Sequence, residues 1–148
     1  MTLQIAREQI LLDLKATTRE EVLAELAAAA QGRCPQLSRA QVADLLLERE
    51  LQESTGHGNG IAIPHATLEL LDETVLLFGR SRRGINFYAA DKRPVHLFVT
   101  ILIPHNTGAT YLRTLARVSR LLQQPTLRDR LLLAASAAEV QEIFAQPA

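Results

Sequence analysis

The chain of 148 residues has the length of one domain, and its 47% of apolar residues is enough to build a hydrophobic core. Its 16 basic side chains balance 16 acidic ones, so the overall charge gives no attraction to nucleic acid or to a membrane surface. The single cysteine excludes an internal disulfide, and no apolar run has the length of a membrane-spanning helix. We therefore expect one cytoplasmic domain over residues 1–148, with no membrane insertion and no nucleic-acid partner.

The first part of the chain predicts a strand followed by two helices. Residues 10–14 (ILLDL) form a short apolar run, as in a strand. Thr18 with Glu21, and Ser38 with Gln41, have the spacing of a capping box at a helix N-terminus. Apolar residues follow both capping residues at helical spacing, so a helix is predicted after each of them.

The rest of the chain predicts several strands and then three helices. Residues 53–60 (ESTGHGNG) are rich in turn formers and too polar for a core element. The run 95–103 (VHLFVTILI) is almost continuously apolar, which indicates a strand buried on both faces. Shorter strands are expected at residues 61–63 and 75–78, with a basic turn at residues 80–84. The three helices are predicted over residues 112–122, from Thr126 onward, and from Ser136 to Phe144. This order favours a mixed sheet with helices on both sides.

A histidine after a glycine-rich loop is the candidate for chemistry. His65 ends the segment GNGIAIPH, residues 58–65. Near neutral pH one nitrogen of an imidazole keeps a lone pair, which can accept a phosphoryl group. The hydroxyls of Ser54 and Thr55 and the guanidinium of Arg49 are donors suited to the negative charge of that group. On chemistry alone, a loop or core histidine is the more common explanation of such a pattern.

Residues 46–69, LLERELQESTGHGNGIAIPHATLE, resemble the enzyme IIA domains of the bacterial phosphoenolpyruvate-dependent phosphotransferase system, of the fructose–mannitol type and its nitrogen-regulatory branch. The resemblance continues through residues 82–104 and 111–122. It implies a domain of the α/β class, a three-layer α/β/α sandwich around a small mixed β-sheet. We expect no cofactor. The resemblance also implies that His65 accepts a phosphoryl group on Nε2 from an HPr-like phosphocarrier protein and that Arg49 helps to hold this group.

The resemblance further implies roles for the loop before His65 and for Tyr111. Four residues fall on the loop that shapes the family's phosphate pocket: Ser54, Thr55, Gly58 and Asn59. Family members commonly have glycine where this chain has Ala66, and often a second, supporting histidine where it has Tyr111. A tyrosine hydroxyl can donate to a phosphoryl oxygen or a ring nitrogen, but it carries no positive charge near pH 7.

The roles of the other histidines stay open at this point. His105 could replace the usual second histidine instead of Tyr111. His57 is expected either on the rim where a partner docks or as a solvated side chain, and His96 as a hydrogen-bonded histidine within the sheet. The four histidines and Cys34 do not have metal-ligand spacing, so no metal site is expected.

Three functions are compatible with the sequence. In the first, the phosphorylation state of the protein controls targets such as transporters or sensor kinases in nitrogen and potassium regulation. In the second, the protein is a sugar-transport enzyme IIA of the fructose or mannitol type. In the third, suggested by Tyr111, it is a regulatory binding module that no longer transfers a phosphoryl group.

Overall fold

The computed structural model describes residues 3–105 and 107–146. They form a six-stranded mixed sheet with helices on both faces, which confirms the predicted α/β class. The strands and helices in chain order are β1 (Ile10–Leu11), α1 (Arg19–Arg33), α2 (Arg39–Gln52), β2 (Gly56–Gly58), β3 (Ile61–Ala62), β4 (His65–Leu68), β5 (Val75–Ile85), β6 (Val95–Pro104), α3 (Ala109–Leu122), α4 (Pro125–Leu133) and α5 (Ala137–Phe144). The strand order is β1-β5-β6-β3-β2, and β4 pairs with β6 as well.

The central strand β6 separates two hydrophobic cores. Successive side chains of a strand point to opposite faces. Leu97, Val99 and Ile101 lie in the core formed with α3, α4 and α5, whereas Phe98 and Leu102 lie in the core formed with α1 and α2. All five side chains are essentially inaccessible to solvent. The prediction of a strand buried on both faces is therefore confirmed, and it explains the three-layer arrangement.

The helices begin close to where the capping residues predict. Thr18, Ser38 and Ser136 each accept a hydrogen bond from the backbone N–H of the third residue after them, at 3.2, 3.3 and 3.2 Å respectively. These bonds satisfy backbone donors that have no partner inside the helix. The helix expected from Thr126 begins at Pro125 instead, because proline has no N–H to satisfy at a first helical position.

The segment 53–60 is part of the sheet, which corrects its prediction as a turn without a core element. Gly56–Gly58 forms β2 and pairs antiparallel with β3. Gly56 is buried, and a Cβ atom on it would lie 2.7 Å from the Cβ of Ala89. The backbone of this segment packs directly against the neighbouring loop. Such packing needs no apolar side chains, so the polar composition of the segment could not predict it.

The basic segment 80–84 lies within β5, so its prediction as a turn is also wrong. Arg80 is 1% exposed. Its guanidinium donates to the carbonyl oxygens of Leu131 and Ala134 at the end of α4, at 3.0 and 2.7 Å, and to that of Leu12 at 3.0 Å. The charge is compatible with burial because several carbonyl oxygens, including those of a helix C-terminus, surround it.

Replacement of Arg80 by methionine is expected to lower the free energy of unfolding by about 3 kcal/mol, because buried carbonyl groups lose their donor. Urea denaturation at neutral pH measures this loss. Arg82→Met is the matched control: its side chain is 68% exposed and forms one surface ion pair with Asp13, at 3.3 Å. We expect the control to lose less than about 1 kcal/mol. Equal losses in the two variants would contradict the structural role of Arg80.

Candidate functional site

His65, Arg49 and Tyr111 line one open pocket of about 330 Å³. Arg49 comes from the last turn of α2, His65 is the first residue of β4, and Tyr111 belongs to the first turn of α3. The strand β4 pairs in parallel with β6, which places His65 opposite Ile101. The sheet therefore fixes the histidine, and helices from both layers supply the other two side chains.

The hydrogen bonding of His65 defines which ring nitrogen can react. Nδ1 lies 2.9 Å from the carbonyl oxygen of Ile63. A carbonyl oxygen can only accept a hydrogen bond, so Nδ1 carries the proton and Nε2 of the neutral ring keeps its lone pair. The side chain is half-buried on the wall of the pocket. In this tautomer Nε2 is the nucleophilic atom.

Burial lowers the pKa of His65 below the usual value for histidine, and the positive charges of Arg49 and His57 lower it further. The hydrogen bond to Ile63 opposes this shift only in part. The folded protein therefore favours the neutral ring at physiological pH. That is the protonation state in which Nε2 can accept an electrophile.

The ring of His65 is expected to titrate at a lower pH in the folded protein than in the urea-unfolded chain, whose midpoint should lie near about 6.5. NMR spectra of the ring recorded against pH measure both midpoints. Because the unfolded chain binds the proton more readily, this histidine contributes to stability above about pH 6.5, and the contribution is lost as the pH falls through the folded-state pKa. A higher midpoint in the folded protein would contradict this electrostatic description.

Arg49 supplies a positive charge at the same pocket. Its Nη1 donates to the carbonyl oxygen of Glu53 at 2.9 Å, as expected of an arginine at a helix end. This is its one hydrogen bond within residues 3–105 and 107–146. A guanidinium has several further N–H donors in a planar fork, which suits the oxygens of a phosphoryl group. The helix-end contact therefore orients the side chain without using all its donors.

Tyr111 is the aromatic neighbour of His65, with ring centroids 5.8 Å apart and planes tilted by 45°. His105 lines a separate, adjacent pocket beside Ser38 and Gln41. The structure thus places the tyrosine, and not His105, beside the imidazole. The tyrosine hydroxyl is a further group that can donate to an anion.

The two hydroxyls predicted for the pocket are engaged elsewhere. Ser54 Oγ donates to the carbonyl oxygen of Phe87 at 2.9 Å, and the hydroxyl of Thr55 donates to the carboxylate of Glu50. Both residues therefore hold the loop in place instead of lining the pocket with His65.

Gly58 is the last residue of β2 and Asn59 begins the turn to β3, with φ angles of 101° and 60°. The N–H of Asn59 donates to Asp91 at 3.3 Å, and Asn59 lines a different pocket, with His96 and Arg93. The structure does not bring these two residues to the pocket of His65. His96 itself lies in β6, with Nδ1 2.9 Å from the carbonyl oxygen of Ser81.

Sequence reasoning missed three polar residues that line the pocket: Glu48, Gln52 and Thr67. Gln52 lies three positions after Arg49 and four after Glu48, so helical spacing could have indicated Gln52 from the arginine and then Glu48 from Gln52. Ala66 lies in β4 without a positive φ, so the backbone accommodates its methyl group without strain. Among the described residues, no three His, Cys, Asp or Glu side chains gather into a metal-binding group.

Comparisons with known proteins agree with this fold. The family model for the phosphoenolpyruvate-dependent sugar phosphotransferase system, EIIA 2, matches residues 4–146. A nitrogen regulatory protein from Bradyrhizobium diazoefficiens is 38% identical over 143 residues, which cover 97% of this chain and 93% of that protein. The fructose-specific EIIA component of Haloferax volcanii is 41% identical over 103 residues, covering 70% and 67% of the two chains.

The crystal structure of the nitrogen regulatory protein IIA-Ntr from Neisseria meningitidis superposes with a TM-score of 0.90, at 31% identity and with 95% of each chain covered. The fold and the family match thus define an enzyme IIA-type domain. The chain belongs to the EIIA type-2 family of the phosphoenolpyruvate-dependent phosphotransferase system. Its similarity to nitrogen regulatory proteins is consistent with the nitrogen-regulatory branch of that family. None of the helices within the described ranges combines the length and apolar character needed to cross a bilayer.

Proposed function

We propose that the protein is a cytoplasmic phosphocarrier in which His65 accepts a phosphoryl group on Nε2 from an HPr-like phosphocarrier protein. The lone pair of Nε2 forms the new N–P bond while the bond between the phosphorus and the carrier breaks. Nδ1 keeps its proton, held by the carbonyl of Ile63 at 2.9 Å. This contact is the observation that carries the proposal, since it directs the reactive nitrogen away from the backbone.

Arg49, from α2, and Tyr111, from α3, serve the same step. The guanidinium is suited to bind two phosphoryl oxygens at once, and the tyrosine hydroxyl can donate to a third oxygen or to the ring. Donors that are already in place when charge develops stabilise the transition state without reorganisation. In this proposal Tyr111 replaces the histidine that relatives often have, without contributing charge.

The regulatory output is the function we favour for this carrier. Phosphorylation adds a phosphoryl group with roughly two negative charges, offset in part by the positive charge of a ring that keeps its Nδ1 proton, and this changes the partners that can dock there. The resulting two states would control target proteins such as transporters or sensor kinases in nitrogen and potassium regulation. The support is the 38% identity with a protein named as nitrogen regulatory and the 0.90 TM-score with a IIA-Ntr structure.

A sugar-transport role is the second candidate, and the identity of 41% with a fructose-specific EIIA component is the observation that favours it. The two outputs differ in the acceptor of the phosphoryl group. Transfer from the phosphorylated protein to a fructose- or mannitol-type enzyme IIB would support the sugar role. Its absence, with phosphorylation-dependent binding to a target protein, would support the regulatory role.

Incubation with phosphoenolpyruvate, enzyme I and the phosphocarrier tests the proposal. We expect a label that is labile in acid and stable in base, at one phosphoryl group per chain, and none when the phosphocarrier is left out. A folded protein that takes no label under these conditions would contradict the carrier function. Partner binding by such a protein would instead support the non-transferring regulatory module.

A further inference from the structure

A buried carboxyl group follows the pocket residue Arg49 in the chain. Glu50, the residue after Arg49 in α2, is 3% exposed. Its Oε2 accepts the backbone N–H of Thr55 at 2.9 Å, and its Oε1 accepts the hydroxyl of the same threonine. The three ion pairs within residues 3–105 and 107–146 involve other carboxylates, so Glu50 is held by hydrogen bonds to one residue of the loop.

These bonds continue residue by residue to the imidazole of His65. The carbonyl oxygen of Thr55 accepts the backbone N–H of Ile63 at 3.3 Å. The carbonyl oxygen of Ile63 in turn accepts Nδ1–H of His65 at 2.9 Å. Thr55 is 2% exposed and Ile63 is 1% exposed, so water does not compete readily for these groups. The series therefore connects the end of α2 with the ring that the pocket presents.

We propose that Glu50 is a positioning residue for His65: by fixing Thr55, and through it Ile63, it keeps the proton on Nδ1 and presents Nε2 to the pocket. The predicted effect on the rate of phosphorylation rests on the proposed phosphocarrier function. The predicted effect on the ring tautomer does not. The carboxylate makes no contact with the reacting atoms in this assignment. It determines the geometry of the carbonyl group that selects the tautomer.

The chemistry of the contacts predicts which substitution preserves them. In a Glu50→Gln variant, the amide oxygen can accept the Thr55 N–H and the amide nitrogen can donate to the Thr55 hydroxyl. In Glu50→Ala both contacts disappear and the loop N–H is left buried without its partner. If Glu50 acts by positioning His65, glutamine at this position should preserve the function, because its side chain has the same length and forms hydrogen bonds. If the negative charge itself were needed, only glutamate would do.

The test is the ring tautomer, measured by ¹⁵N NMR of the unphosphorylated protein at a pH where His65 is neutral. We expect the wild type and Glu50→Gln to show the proton on Nδ1 only. We expect Glu50→Ala to show a mixture with the tautomer protonated on Nε2. Val42→Ala, a buried change on the same helix, is the control for a general loss of stability and should keep the wild-type tautomer. This readout needs no phosphotransfer, so it stays informative if the carrier function is disproved.

Phosphorylation kinetics supply the second readout. Misplacement of the reacting nitrogen should lower kcat of Glu50→Ala roughly 10- to 100-fold, with KM for the phosphocarrier nearly unchanged. Glu50→Gln should restore the rate to within about threefold of the wild type.

If Glu50→Ala does not fold, Thr55→Val is the second variant, because it removes only the hydroxyl contact. It should shift the tautomer and kcat in the same direction as Glu50→Ala, but by less. A wild-type tautomer and rate in a folded Glu50→Ala variant would overturn the inference. If Glu50→Ala does not fold, the same result in a folded Thr55→Val variant would overturn it. A Glu50→Gln variant as impaired as the alanine variant would also overturn it.

Discussion

The His65→Gln variant is expected to take up no acid-labile phosphoryl group from phosphoenolpyruvate through enzyme I and the phosphocarrier. A glutamine amide has no nucleophilic nitrogen lone pair, because its nitrogen is conjugated with the carbonyl group. The substitution otherwise keeps a polar side chain on the half-buried wall of the pocket. Radiolabelling from phosphoenolpyruvate, with separation of the proteins under alkaline conditions, measures the uptake.

The matched control for this experiment is His105→Gln. This histidine is exposed and lines the adjacent pocket, so the control variant should take up the label at the wild-type rate. Similar circular dichroism spectra of the two variants would show that loss of label reflects chemistry and not unfolding. Label retained by His65→Gln, or lost from His105→Gln alone, would show that another group is the acceptor.

Replacement of Arg49 by alanine is expected to lower the rate of phosphoryl uptake by about 100- to 1000-fold, equivalent to about 2.7–4 kcal/mol of transition-state stabilisation. The guanidinium lines the pocket of His65 and is held at its end of α2 by the carbonyl of Glu53. Most of the loss should fall on kcat, because the charge that Arg49 meets is greatest during transfer. Stopped reactions at varied phosphocarrier concentration separate kcat from KM.

Two further variants define what Arg49 contributes. Arg49→Lys keeps the charge but not the planar fork, and we expect an intermediate rate. Arg39→Ala removes an exposed arginine at the other end of the same helix, where it donates to Gln31, and should leave the rate unchanged. A wild-type rate in Arg49→Ala would remove the arginine from the mechanism. An equal loss in Arg39→Ala would point to a general effect of helix charge.

Much of the fold follows from local sequence, and particular residues show why. The helix starts at Thr18, Ser38 and Ser136 could be predicted because a capping side chain bonds to a backbone group only three residues away. The apolar run of β6 could be predicted because a strand covered on both faces needs apolar residues at nearly every position.

The errors arise where the deciding partner is distant in sequence. Arg80 is buried because carbonyl groups more than fifty residues later surround it, and no local pattern reports them. Gly56 lies in a strand because its missing side chain allows Ala89 to pack against the backbone. The composition of residues 53–60 and 80–84, considered alone, predicts a polar turn for each segment.

The candidate site shows the same division. The loop motif around His65 and the family resemblance pointed to His65, Arg49 and Tyr111, and the structure brings these three side chains to one pocket. The resemblance and the loop chemistry also suggested Ser54 and Thr55 as pocket residues. In the structure, their hydroxyls donate hydrogen bonds to Phe87 and Glu50 respectively, and these partners are evident only in the folded chain.

The most direct test of the central claim is a ¹⁵N and ³¹P NMR spectrum of the protein phosphorylated by its phosphocarrier. We predict one phosphohistidine, with the phosphorus bonded to Nε2 of His65 and the proton retained on Nδ1, as its hydrogen bond to Ile63 requires. Phosphorus bonded to Nδ1 of His65, or to any other side chain, would contradict the proposed chemistry of the site.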